Sequence, residues 1–142
     1  MQRDDLLDKL FFTTEDVQRT WKARFHESLQ INGITHGQMY ALFVLTQYQP
    51  INSKQFAAHM HLTPGAVTQL IDSLGEYVER KQDTKDRRIV YLRLSKSGSR
   101  LVKKIREKRK AFFVQVTASF SDQELATMLD EQRKFLDQLE KI

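Results

Sequence analysis

Asp86-Arg87-Arg88-Ile89-Val90-Tyr91-Leu92-Arg93-Leu94-Ser95-Lys96-Ser97-Gly98 is the stretch that decides the fold of this chain. It opens on a tip of aspartate and arginine. From Ile89 to Leu94 it alternates, with Val90, Leu92 and Leu94 on one side and Ile89, Tyr91 and Arg93 on the other, the period of a half-buried strand. Ser95 then stands where a helix N-cap belongs. Upstream, Lys81 to Arg88 contains no apolar residue and reads as a polar turn, and Tyr77-Val78 begins the partner strand. A charged hairpin that runs straight into a helix is a wing.

Immediately before the hairpin, two short helices are expected. Ser53 is an N-cap candidate, and Phe56, Ala57 and Met60 give the first helix its buried face. His61-Leu62 makes the turn. Thr63-Pro64 restarts the chain, because threonine caps and proline suits the first helical position, where its missing N–H would go unpaired anyway. Val67, Leu70, Ile71 and Leu74 stripe one side of the second helix, while Gly65, Ala66, Thr68, Gln69, Asp72 and Ser73 leave the other small or polar. This is the pattern of a helix-turn-helix.

Working outward, Leu6, Leu10, Thr14, Val17, Trp21, Phe25 and Leu29 recur every three or four residues and mark a long first helix ending near Asn32-Gly33. Thr35 with Gln38 forms a capping box for the next helix, which carries Met39, Leu42, Phe43 and Leu45 and stops before Pro50. After the wing, Leu101, Val102, Ile105, Phe112, Val116 and Phe120 define a long helix with basic residues around the rest. Ser121 with Glu124 caps a last helix striped by Leu125, Met128, Leu129, Phe135, Leu136 and Leu139. The expected class is mainly α with a small β-hairpin wing: a winged helix-turn-helix lobe over about 35–95, and dimerisation helices over about 1–32 and 96–142, within one domain of 142 residues. Apolar stripes at both ends of so short a chain, with the late aromatics Phe112, Phe113, Phe120 and Phe135, point to a homodimer.

The charge is unevenly spread. Between Glu79 and Lys110 lie 14 of the 23 Lys/Arg but only 4 of the 18 Asp/Glu, a net of +10, while the other residues, 9 basic against 14 acidic, carry a net of −5. A localised basic block is the footprint of a polyanion, since lysine and arginine gain by displacing counterions from phosphates. Cysteine is absent, which excludes disulfides and thiolate metal sites. No apolar run is long enough for a membrane span, and the N-terminus MQRDDLLDKL is acidic and amphipathic rather than signal-like, so a cytoplasmic protein with no membrane partner is expected.

These residue types suit double-stranded DNA. Small residues at the start of the second helix allow close approach to a major groove about 12 Å wide. Thr63, Gly65, Ala66, Thr68, Gln69 and Ser73 are the candidate contact positions there; glutamine pairs with adenine and a threonine methyl packs on thymine. In the wing the candidates are Lys85, Asp86, Arg87 and Arg88. A narrow minor groove concentrates negative potential and draws in arginine, and Asp86, a poor DNA ligand itself, suits the orientation of a neighbouring arginine.

The chain resembles the MarR family of winged-helix repressors. That family's wing pattern, Asp-x-Arg, five residues, Leu-Thr, two residues, Gly, stands here as Asp86-x-Arg88, five residues, Leu94-Ser95, two residues, Gly98, with serine for threonine. Leu62-Thr63-Pro64-Gly65-Ala66-Val67-Thr68-Gln69-Leu70-Ile71-Asp72-Ser73-Leu74 resembles its recognition helix. The link Leu74 to Arg80 departs from the pattern: it is shorter and lacks the glycine just before the strand. The resemblance implies a homodimer joined through its terminal helices, minor-groove contact by Arg88 oriented by Asp86, repression from a palindromic operator, and response to a small lipophilic or phenolic effector bound between dimerisation region and DNA-binding lobe. Trp21, Phe25, Met39, Tyr40 and Phe43 are the candidate lining of such a pocket, although aromatic and methionine stripes at helical spacing are more often plain core.

Other classes fit less well. There is no glycine-rich phosphate loop and no nucleophile–base pair, so no catalytic residue, enzyme activity or cofactor is expected. A zinc-responsive regulator of the same fold would draw on His26, His36, His59 and His61, but their spacing forms no recognised metal motif and no metal site is expected. A winged-helix module that binds protein is the remaining alternative, and the basic block argues against it.

Overall fold

The computed structural model describes residues 1–29 and 33–142. The elements run α1 (Arg3–Leu29), α2 (His36–Tyr48), β1 (Ile51–Asn52), α3 (Ser53–Met60), α4 (Pro64–Leu74), a single 3-10 turn (Gly75–Tyr77), β2 (Val78–Gln82), β3 (Val90–Leu94), α5 (Lys96–Val116) and α6 (Asp122–Leu139). The expected end of the first helix near Asn32 lies outside the described residues. Two compact units divide the chain, Met1–Lys108 and Arg109–Ile142.

Local chemistry sets most helix starts. Thr35 Oγ1 accepts the Gln38 N–H at 3.1 Å, and the Gln38 amide oxygen accepts the Thr35 N–H at 2.8 Å, the reciprocal capping box expected there. Ser121 and Glu124 do the same for α6, and the hydrogen bonding of Ser121 to the Glu124 carboxyl, its backbone N–H first, holds that carboxyl below its usual range. Thr63 caps α4 with Pro64 in the first turn, and Ser95 caps α5 by accepting the Gly98 N–H.

Three expectations need correction. Asn52, not Ser53, caps α3: its side chain accepts the Gln55 N–H at 2.8 Å, while the Ser53 hydroxyl donates to the Val90 carbonyl. Ser53 is thereby freed to tie α3 to the sheet. The hairpin's first strand starts at Val78, because Tyr77 closes the 3-10 turn, and it runs to Gln82, so the polar turn is shorter than expected. Third, the hairpin is part of a sheet with strand order β1-β3-β2, all antiparallel, in which Ile51 faces Leu92 and Asn52 faces Tyr91. A strand of two residues shows no alternation, so only its pairing reveals it.

The core of the first unit draws mainly on α2, α3, α4, β3 and α5, with Phe25 of α1, Ile51 of β1 and Val78 of β2 also buried. Phe56, Met39, Leu42, Leu45, Leu74, Leu92 and Ile105 are its most deeply buried large side chains. Along β3 the alternation holds where it matters: Leu92 and Leu94 are buried and Arg93 is exposed. Between the helices of the helix-turn-helix, His61 adopts φ 53°, and its own N–H and that of Leu62 return to the last carbonyls of α3. A left-handed residue at this point ends the helix and satisfies carbonyls that would otherwise lack partners.

Candidate nucleic-acid interface

In α4 the residues Val67, Ile71 and Leu74 are buried, which turns Gly65, Thr68, Gln69 and Asp72 outward at helical spacings of three and four. Nothing lies within 4 Å of where a side chain on Gly65 would begin, so the helix start offers open backbone. Thr68 donates its hydroxyl to the Pro64 carbonyl at 3.1 Å, leaving its methyl as the outward group. Thr63 spends its oxygen on the cap, and Ala66 is half-buried. Ser73 is engaged within the protein: its hydroxyl donates to the Leu70 carbonyl at 2.6 Å and accepts from the Gln38 amide at 3.0 Å, tying α4 to α2.

The wing tip is built by two aspartates. Asp83 Oδ1 accepts the N–H groups of Lys85 at 2.7 Å and Asp86 at 3.1 Å, which folds the turn. Asp86 then holds Arg88 in a two-point grip, Nε to Oδ1 and a terminal nitrogen to Oδ2, each at 3.1 Å, and also accepts the Arg88 N–H at 3.0 Å. The Arg88 side chain stays 91% exposed while that of Asp86 is 35% exposed, so the pair orients the guanidinium without covering it. The bonds from Arg88 hold the Asp86 carboxyl below its usual range and raise the guanidinium in turn. Lys85 and Arg87 flank the pair in solvent.

Helix and wing are joined by an ion pair that sequence reading missed. Arg80 on β2 donates to Asp72 on the outward face of α4. The pair neutralises the one carboxylate on the reading face and bridges the two parts that must approach a duplex together. No local pattern announces it, because helix and strand meet only in the fold; Asp83, by contrast, sits where an Asx turn is ordinarily found. The short link foreseen between Leu74 and Arg80 is closed by Gly75 at φ 52°, a conformation glycine adopts without steric cost, so α4 can stop and β2 can start within one 3-10 turn.

The candidate effector residues differ in exposure. Phe25 and Met39 are 4% and 2% exposed, Trp21 stacks on Phe25 at 5.5 Å, Phe43 is half-buried, and Tyr40 is exposed. A cleft of about 340 Å³ lies elsewhere, between Pro50 and the sheet, lined by Lys81, Asp83, Tyr91 and Arg93 among others. Of the histidines, His59 stacks on Tyr48 at 4.0 Å and His26 bonds to the Ile34 carbonyl at 2.8 Å. Among the described residues no group of three or more His, Cys, Asp and Glu is placed to hold a metal ion, and no helix is long and apolar enough to cross a membrane.

A helix-turn-helix whose second helix is braced against an arginine-tipped hairpin wing, itself part of a three-stranded sheet, defines the class: a winged-helix DNA-binding protein with long terminal helices. Comparison with known proteins agrees. The MarR family model matches residues 34–90. Two relatives come from Bacillus subtilis strain 168: the uncharacterised HTH-type transcriptional regulator YsmB, 31% identical over 74% of this chain and 73% of that one, and the HTH-type transcriptional repressor MdtR, 27% identical over 78% and 77%. Among solved structures, a MarR family protein from Bacillus stearothermophilus superposes with TM-score 0.87 at 25% identity, over 98% of this chain and 99% of that one. Streptococcus pneumoniae FabT, solved in complex with DNA, shares the fold with TM-score 0.76 at 22% identity over 99% of each chain. The chain belongs to the MarR family of transcriptional regulators.

Proposed function

We propose that this protein is a sequence-specific regulator of transcription, not an enzyme, that binds a palindromic operator in double-stranded DNA as a homodimer and represses from it. One observation carries the reading: the outward face of α4 and the Asp86-held Arg88 are linked by the Arg80–Asp72 pair into one braced unit. Gly65, Thr68 and Gln69 meet base edges in a major groove, Thr63 and the helix start meet phosphate, and Arg88, flanked by Lys85 and Arg87, enters the adjoining minor groove. FabT bound to DNA and the repressor MdtR support the partner and the direction of control.

The lobe of about 35–95 reads DNA, and the helices of about 1–32 and 96–142 pair two copies. Leu6, Leu10 and Val17 of α1 are each more than half exposed, as are Phe135, Leu136 and Leu139 of α6, and a second copy would cover apolar surface of this extent. A small lipophilic or phenolic effector would contact Trp21, Phe25, Met39, Tyr40 and Phe43. The protein acts in the cytoplasm.

Selection of bound duplexes from a random pool tests the proposal. The expected product is a palindrome with half-sites about 10 base pairs apart, set by the two-fold axis of the dimer. Failure to retain any duplex at modest ionic strength, by protein free of small molecules, would overturn it.

A further inference from the structure

The richest stretch of positive charge among the described residues lies beyond the wing, on α5. Lys96, Arg100, Lys103 and Lys104 stand at i, i+4, i+7 and i+8, which places them on one face, and all four are exposed. Gly98, Val102 and Ile105 are buried on the opposite face. Glu107, the one carboxylate of the helix, stands on the cations' own face at i+4 from Lys103 and i+3 from Lys104. None of the four cations takes part in an ion pair among the described residues, whereas Arg80, Arg88 and Arg93 are each held by a carboxylate.

This charge runs against the needs of the helix itself. A helix N-terminus favours acidic residues. The first turns of α1 and α6 have them, Asp4 with Asp5 and Asp122 with Glu124, but that of α5 has none and begins on Lys96. The start of α5 is also fixed in place: the Ser95 N–H donates to the Tyr77 carbonyl at 3.0 Å, and the Ser97 hydroxyl donates to that of Glu76 at 3.2 Å. These carbonyls belong to the turn that joins α4 to β2, so the cations are held in fixed relation to the reading helix.

We propose that the outward face of α5, formed by Lys96, Arg100, Lys103 and Lys104, is a second contact surface for the phosphate backbone of duplex DNA, separate from the reading helix and the wing. This rests on the DNA-binding reading above and adds a sequence-independent component to it. From Lys96 to Lys104 the helix rises about 12 Å, a length over which one strand of a duplex presents about three to four phosphates. Lysine and arginine on a backbone fix position and add affinity without reading bases, so this surface strengthens operator and random DNA alike.

The test compares wild type with the variant carrying Lys96→Gln, Arg100→Gln, Lys103→Gln and Lys104→Gln. Fluorescence anisotropy measures affinity for the selected operator and for a random duplex from 50 to 200 mM salt, with Arg88→Ala as the control. Each phosphate contact contributes about 0.9 to the slope of log affinity against log salt, so the variant's slope is expected to be shallower by at least about 2 on both DNAs. Across that fourfold rise in salt the wild type then loses roughly 16-fold more affinity than the variant. An unchanged slope, with Arg88→Ala lowering its own, would overturn the second surface and leave the wing reading intact. If Arg88→Ala is also without effect, or wild type binds neither duplex, the DNA reading itself fails. Circular dichroism and a urea titration check that the variant folds; should it not, the double variant Lys103→Glu and Lys104→Glu carries the same expectation.

Discussion

Replacing Gly98 by alanine sets two effects of opposite sign against each other. Gly98 lies in the first turn of α5, and helix propensity alone has alanine more stable there by about 0.5–1 kcal/mol. Packing says the reverse. A Cβ on Gly98 would sit 2.1 Å from the Tyr77 carbonyl oxygen, 3.0 Å from its carbon and 3.3 Å from its Cα. All three are backbone atoms of the turn between α4 and β2, so no side chain can swing aside, and relief needs a movement of roughly 1 Å. Overpacking of this kind costs about 1–3 kcal/mol. The shift also strains the bond from the Ser95 N–H to the same Tyr77 oxygen, worth about 0.5–1.5 kcal/mol. The net expectation is a loss of about 2 kcal/mol, read as a lower urea midpoint at unchanged m-value. Gly37→Ala, where nothing lies within 4 Å, is the control and is expected to be neutral or slightly stabilising. A Gly98→Ala protein as stable as wild type would refute the close approach and with it the way α5 is rooted.

Arg88→Ala is expected to weaken operator binding by about 1–3 kcal/mol and to lower the salt slope by about 1; in the same variant the Asp86 carboxyl should titrate closer to its ordinary value by NMR, since Arg88 is the main cause of its lowering. Gln69→Ala should cost more affinity on operator than on random DNA, and equal losses would argue against base reading. His36 is held below its ordinary 6.5, first by burial and then by the charges of Lys22 and His26. The unfolded chain therefore binds the proton more readily, so folding stability should be level above about pH 6.5 and decline as pH falls from there through the lowered folded value. Urea midpoints across pH 5–8 check this, and His36→Gln should flatten the decline.

What the sequence determined by itself is whatever depends on neighbours along the chain. Thr35 with Gln38 and Ser121 with Glu124 satisfy helix-end N–H groups reciprocally, Thr63 accepts the Ala66 N–H, and Pro64 has no N–H to satisfy, so type and spacing suffice to place these starts. The Asp86–Arg88 grip is equally local. The Asn52 cap of α3 is local as well, because Gln55 three residues on closes its capping box. Tertiary structure alone decided the features that join distant segments. What the fold adds at α3 is the bond from the Ser53 hydroxyl to the distant Val90 carbonyl. A two-residue β1 exists only through its pairing with β3. Ser73, one of the expected DNA contacts, braces α4 against α2 because Gln38 arrives beside it, and Asp72 is neutralised by an arginine from the wing. Short-range hydrogen bonds are written in residue order, whereas the partner of an exposed polar group is settled only when packing brings two surfaces within bonding distance.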